Sequence, residues 1–99
     1  MKKRFIIKDK FEREIHLSEE RWKHIIHEHP EMSDKVYEIE EIIKNPLIII
    51  TDEEDERVRY YYKYYKNIKQ KAKYLLVSVK YLNGGGYVIT SFYTDKIKR

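Results

Sequence analysis

Apolar residues along the first half of the chain recur at two different intervals, and the change of interval marks a change of element. Phe5-Ile6-Ile7-Lys8 is a short strand-like run. After the turn Asp9-Lys10, Phe11, Arg13, Ile15 and Leu17 alternate with Glu12, Glu14 and His16, so a second strand and a terminal hairpin are expected. From Trp22 the spacing lengthens: Trp22, Ile25, Ile26 and His29 stand at i, i+3, i+4 and i+7, one stripe of a helix. Ser18 precedes this stripe as an N-cap, and Pro30, which has no N–H to donate, ends it. The helix therefore runs from Glu19, with His29 at or beyond its last turn and His24 and His27 on the wetter side. A second helix follows, capped by Ser33 or Asp34, with Val36, Ile39 and Ile43 as its core-facing row and Lys44-Asn45-Pro46 as its stop.

The second half reads as strands. Leu47 to Thr51 is an uninterrupted run, β-branched from Ile48 on, between Pro46 and an acidic turn, which predicts a buried strand. From Arg57 to Tyr65 the period is two: Val58, Tyr60, Tyr62 and Tyr64 take one face, and Arg57, Arg59, Tyr61, Lys63 and Tyr65 the other. Lys66 to Lys71 form a basic, polar loop. Tyr74 to Leu82 and Tyr87 to Thr94 then make a hairpin through Asn83-Gly84-Gly85-Gly86. These glycines lie between two strands, not between a strand and a helix, so they read as a turn and not as a phosphate-binding loop. The sum is one α+β domain over residues 1–99, in which two helices cover one face of an antiparallel sheet of about four strands, with a short N-terminal hairpin.

Composition narrows the chemistry. Cysteine is absent, which excludes disulfides, thiolate metal sites and a cysteine nucleophile. Met1-Lys2-Lys3-Arg4 leads into a charged strand and no run of apolar residues is long enough to span a bilayer, so a soluble, cytoplasmic protein with no membrane partner is expected. Abundant Lys, Glu, Ile and Tyr with a single Gln and a single Ala resemble the composition of a hot-growing organism. The formal net charge is only +4, but acid gathers in Asp52 to Glu56 and base at the termini and from Arg57 to Lys73. That segregation favours an anionic partner such as RNA.

Three groups of residues carry candidate chemistry. His24-x-x-His27-x-His29 offers imidazoles, but no carboxylate stands at a familiar spacing and a regular helix turns His29 away from His24, so no metal is expected. Arg57, Arg59 and Lys63 with interleaved tyrosines suit the backbone and unstacked bases of single-stranded RNA. Arg57 equally suits neutralising the neighbouring acidic turn. The last strand places hydroxyls on both faces, Thr90 and Thr94 beside Phe92, and Ser91 beside Tyr93. His29 closes an apolar stripe, where an imidazole either caps the helix as a satisfied half-buried group or transfers protons at neutral pH. A ribonuclease that uses no metal needs a base for the 2′-hydroxyl, an acid for the 5′-oxygen and cations or hydroxyls for the phosphate. Histidine and arginine suit these roles.

The order of motifs also carries a resemblance. A hydroxyl cap, Arg-Trp-x-His-Ile-x-x-x-His-Pro-Glu at residues 21–31, a helix ending before Asn-Pro, an Arg-x-Tyr-Tyr strand and Val-Ile-Thr-Ser-x-Tyr-Thr at residues 88–94 resemble small proteins of the barnase–EndoU–colicin–RelE (BECR) group, particularly its phage-associated branch. The resemblance spans about Leu17 to Thr94. It implies a metal-independent endoribonuclease fold with a curved antiparallel sheet, frequently a toxin, with helix histidines, a sheet arginine and a last-strand hydroxyl as active residues. Carried onto this chain, these are His24 and His29, Arg59 or Arg57, and Thr90 or Ser91.

The resulting expectation is a nuclease acting on RNA without a cofactor. His29 is the general acid or base, Arg59 holds the phosphate, Thr90 or Ser91 orients it, and Lys63, Tyr61, Arg57 and Tyr93 bind substrate. The product is a 2′,3′-cyclic phosphate. An antitoxin protein is an expected partner for a toxin, self-association is open, and Asp52 to Glu56 is a contact surface or a solvated turn. The rival expectation is a non-catalytic module that binds RNA or protein through the same sheet.

Overall fold

The computed structural model describes residues 2–65 and 73–97 of the chain. Strand β1 (Lys3–Lys8) and strand β2 (Glu14–Ser18) form the expected N-terminal hairpin, with Phe5 opposite Leu17 and Ile7 opposite Ile15. The turn between them is longer than two residues. Asp9 Oδ1 accepts hydrogen bonds from the backbone N–H of Phe11 (2.7 Å) and of Arg13 (2.9 Å), and Glu12 takes a positive φ of 66°. That carboxylate keeps Phe11 out of the strand, and the ring is exposed.

Helix α1 (Glu19–Glu28) starts as predicted, with Ser18 Oγ accepting the Arg21 N–H at 3.1 Å. Trp22 and Ile25 are buried, whereas His24 and His27 face outward. Pro30 ends the helix and opens a 3-10 turn, Pro30–Met32, which drives Met32 into the core. Helix α2 (Val36–Lys44) follows, but neither Ser33 nor Asp34 caps it. The N-cap is Lys35, whose N–H is used by the Met32 carbonyl at 3.0 Å, because burial of Met32 tightens the chain into consecutive turns before the helix begins. Ile39, Ile42 and Ile43 of α2 are fully sheltered, each worth roughly 1.5–3 kcal/mol of transfer free energy.

Four further strands, β3 (Ile48–Thr51), β4 (Val58–Tyr64), β5 (Tyr74–Leu82) and β6 (Gly85–Thr94), complete a six-stranded sheet in the order β1-β2-β6-β5-β4-β3. All neighbours are antiparallel except β2 and β6, which run parallel with His16 opposite Tyr87. The sheet is therefore mixed and larger than the expected four antiparallel strands, because the hairpin adds itself to the edge of β6. A pairing so distant in sequence leaves no periodicity to read. Its condition is a close approach: a Cβ at Gly85 would lie 2.6 Å from the Glu14 carbonyl oxygen. Gly84, with φ +79°, makes the β5–β6 turn, so only Asn83 and Gly84 are loop and the other two glycines belong to β6. β3 lies at the sheet edge and pairs only with β4, which leaves Ile48, Ile49 and Ile50 half-buried where a fully buried strand was expected. The basic loop Lys66 to Lys71 falls outside the described residues.

Both helices pack on one face of the sheet. Their core residues join Ile15, Leu17, Tyr61, Val77 and Val79 in a single cluster. On β4 the predicted alternation holds: Lys63 faces α2, with Nζ 3.8 Å from Glu41 Oε1, while Tyr62 and Tyr64 turn the other way and meet the Tyr74 ring edge-on. Among the described residues the second face of the sheet carries no helix. Among the described residues no helix is long and apolar enough to cross a membrane.

Candidate active site

Ile15 and Leu17 point into the core, so the residues between them on β2, Glu14, His16 and Ser18, stand on the helix-free face. The parallel register then aligns His16 with Tyr87 of β6, and β5 continues the row with Lys80. A cleft of about 490 Å³ opens here, lined by Lys3, Glu14, His16, Arg21, Asn83 and Tyr87 among others. The His16 side chain is 33% exposed, and its Nε2 lies 3.9 Å from Glu14 Oε1. Its Nδ1 is buried with no hydrogen-bond partner among the described residues. An imidazole beside a carboxylate, with a lysine and an arginine on the same wall, can move a proton next to a bound anion.

Beyond Leu82 and Asn83 the surface turns into a second, more open cleft of about 870 Å³, with Arg57, Arg59, Tyr81 and Thr51 in its walls. Its floor is built on a buried hydroxyl chain. Tyr81 donates to Asp9 Oδ2 at 2.6 Å and shares a short hydrogen bond with the Tyr61 hydroxyl. Burial pushes both phenols above the ordinary tyrosine range, so each stays a neutral donor. Two guanidinium groups stack on the Tyr81 ring, Arg13 at 4.2 Å and Arg59 at 5.2 Å from its centroid. Arg59 Nε is buried without a hydrogen-bond partner among the described residues.

The residues expected to share one site are distributed over both faces. Arg59 is on the helix side with Tyr61, opposite Val79. Tyr61 is fully buried and its hydroxyl is occupied by Tyr81, which leaves it no surface for a base. His29 caps α1 and lays its ring against Phe92, centroids 5.0 Å apart, with Nδ1 3.9 Å from Glu31 Oε2. Its side chain is 31% exposed. Phe92 pairs with Leu76 and Thr90 with Ser78, so His29 and Thr90 border the helix-free face further along β6 than the cleft at His16. Ser91 is buried and donates its hydroxyl to the Leu76 carbonyl at 2.7 Å. Tyr93 packs against the core, where burial raises its phenol. His24 remains on the outer surface of α1 beside His27 and Lys23. Among the described residues no three histidine or acidic side chains gather as a metal-binding group. His29 thus rests against Phe92, two positions along β6 from Thr90, and Thr90 and Arg59 point to opposite faces of the sheet. His16, which the sequence shows only as one polar residue in an alternating strand, becomes a cleft residue through the parallel pairing.

Arg57 belongs to the acidic turn. Asp55 Oδ1 accepts from the Arg57 backbone N–H (3.0 Å) and Nε (3.1 Å), and Lys80 Nζ lies 3.4 Å from Asp55 Oδ2. The Arg57 hydrogen bonds hold the Asp55 carboxyl down at about 2. A carboxyl lowered on folding stabilises above its unfolded pKa and loses that contribution as pH falls through its folded one. The melting-temperature difference between wild type and Asp55→Asn is accordingly expected to be constant above about pH 5 and to close between about pH 4 and 2. Thermal melts across that range check it, and a difference that persists unchanged at pH 2 contradicts it.

No curated protein and no solved structure matches the chain. A family model does, over residues 1–99, and it is the one toward which the order of motifs from about Leu17 to Thr94 pointed: the chain belongs to the phage-Barnase-EndoU-ColicinE5/D-RelE like nuclease 2 family.

Proposed function

We propose that this member of a nuclease family is an endoribonuclease that needs no metal and works in the cleft around His16. The observation that carries the reading is the placement of His16 on the open face of the sheet, with Glu14 beside it and Lys3, Arg21 and Tyr87 in the same wall. In this reading His16, oriented by Glu14, takes the proton of the 2′-hydroxyl as that oxygen bonds to phosphorus. The bond from phosphorus to the 5′-oxygen breaks, and the Tyr87 hydroxyl protonates the departing oxygen. Arg21 and Lys3 balance the charge that builds on the phosphate. A second reading places the proton transfer at His29, supported by its partly exposed ring bordering the same face with Thr90.

Labelled single-stranded RNA incubated with the protein in EDTA is expected to give fragments with 2′,3′-cyclic phosphate and 5′-hydroxyl ends. Cleavage abolished by EDTA, or 3′-hydroxyl products, overturns the mechanism. RNA that is bound but left intact makes the protein a non-catalytic binding module. A toxin of this kind would be held in check by a protein partner, for which the acidic turn is one candidate surface.

A further inference from the structure

The two clefts meet at Leu82 and Asn83, the tip of the β5–β6 hairpin, which lines both. On one side stands His16. On the other, Arg59 is held over the Tyr81 ring, over which Arg13 also lies and whose hydroxyl is fixed by Asp9. The two guanidiniums differ in how they are engaged. Arg13 Nε lies 3.7 Å from the Asp9 carboxylate, whereas Arg59 has no carboxylate within ion-pair distance among the described residues and its cleft is open. A planar cation, stacked on an aromatic ring and left without a carboxylate at the edge of an open cleft, is preorganised for a phosphate.

Resting on the reading of His16 as the cleavage site, we infer that Arg59 binds a second phosphate of the same RNA strand, which crosses the hairpin tip over Asn83 from one cleft to the other. The substrate is then a single-stranded oligonucleotide and not a dinucleotide, since a strand must leave the His16 cleft before it meets Arg59. The bases of the crossing segment lie over an exposed turn, so this grip on the strand is indifferent to sequence. Arg59 acts as a binding residue: it holds the strand and takes no part in bond breaking.

The test uses full-length protein and a series of single-stranded RNAs from two to eight nucleotides. Arg59→Gln is expected to raise KM on the octanucleotide about tenfold with kcat unchanged, and to leave the dinucleotide unaffected. In fluorescence anisotropy with the octanucleotide, the slope of log Kd against log salt should lose about 0.7, the share of one phosphate contact on a single strand. Arg59→Lys, which keeps the charge, should keep the slope and protects the result against a folding defect. An unchanged slope in Arg59→Gln, or an equal loss on the dinucleotide, overturns the second subsite. A fall in kcat would instead place Arg59 at the reacting phosphate and overturn it too. The two readings fail separately: if His16→Ala still cleaves while the Arg59 slope changes as stated, the strand path stands and the cleavage site does not.

Discussion

Asp9→Ala is expected to lower the melting temperature by roughly 10–25 °C, the equivalent of about 3 kcal/mol for a domain of this size. Asp9 is 5% exposed and is the acceptor on which three donors from two segments converge: the backbone N–H groups of Phe11 and Arg13, and the hydroxyl of Tyr81 seventy-two positions away. Alanine leaves all three donors without that acceptor and removes the counter-charge 3.7 Å from Arg13. The two backbone groups can turn to water; the Tyr81 hydroxyl cannot, because it is enclosed with Tyr61. An unsatisfied buried donor costs about 1–3 kcal/mol, and the loosened turn adds to it. Asp9→Asn should lose less than half as much, since its amide oxygen can still accept from the turn and its amide nitrogen can donate to Tyr81. Denaturation by heat and by urea checks both variants. If Asp9→Ala melts within 3 °C of wild type, the carboxylate does not pin the β1–β2 turn to the sheet.

This cluster also shows where reading the chain as a string of local patterns stops. The elements set by neighbouring residues were legible: Ser18 and Pro30 bracket α1, the tyrosine alternation gives the two faces of β4, and Asn83-Gly84 mark a hairpin. So was the family, because it rests on the order of short motifs along the chain. What could not be read was set by contacts between distant segments. Asp9 looks like an ordinary turn residue until Tyr81 is brought over it. His16 has the same local signature as any polar residue on a solvated strand face, and only the parallel pairing of β2 with β6 sets Tyr87 beside it and closes the cleft that Lys3 and Arg21 also line. The expected meeting of His29 with Arg59 assumed that the end of α1 lies over the face that β4 shows with its arginines. Strand parity gives each arginine a face, but nothing local tells which face the helix end borders.

His16→Ala is expected to reduce kcat for RNA cleavage by about 10²–10⁴-fold, the usual contribution of one positioned proton-transfer group and equivalent to about 3–5 kcal/mol of barrier. KM should change little, because the phosphate-binding charges named for the cleft, Lys3 and Arg21, remain in place. Stability should also change little, since the imidazole is one-third exposed and makes no hydrogen bond at Nδ1 that alanine would break. Glu14→Gln is expected to lose less, about tenfold, because the carboxylate orients the imidazole from 3.9 Å and does not itself exchange a proton with substrate. His29→Ala is the informative comparison. Its ring packs on Phe92 at the far end of β6, so if His16 is the proton acceptor, His29→Ala should stay within about threefold of wild type in kcat and show its effect as a small loss of stability from the emptied contact. The reverse pattern, with His16→Ala fully active and His29→Ala inactive at unchanged melting temperature, transfers the chemistry to the end of α1 beside Thr90. Single-turnover cleavage of one defined oligonucleotide, measured alongside melting curves for all three variants, separates these outcomes, because a residue that acts in the chemical step lowers its rate without weakening either binding or the fold.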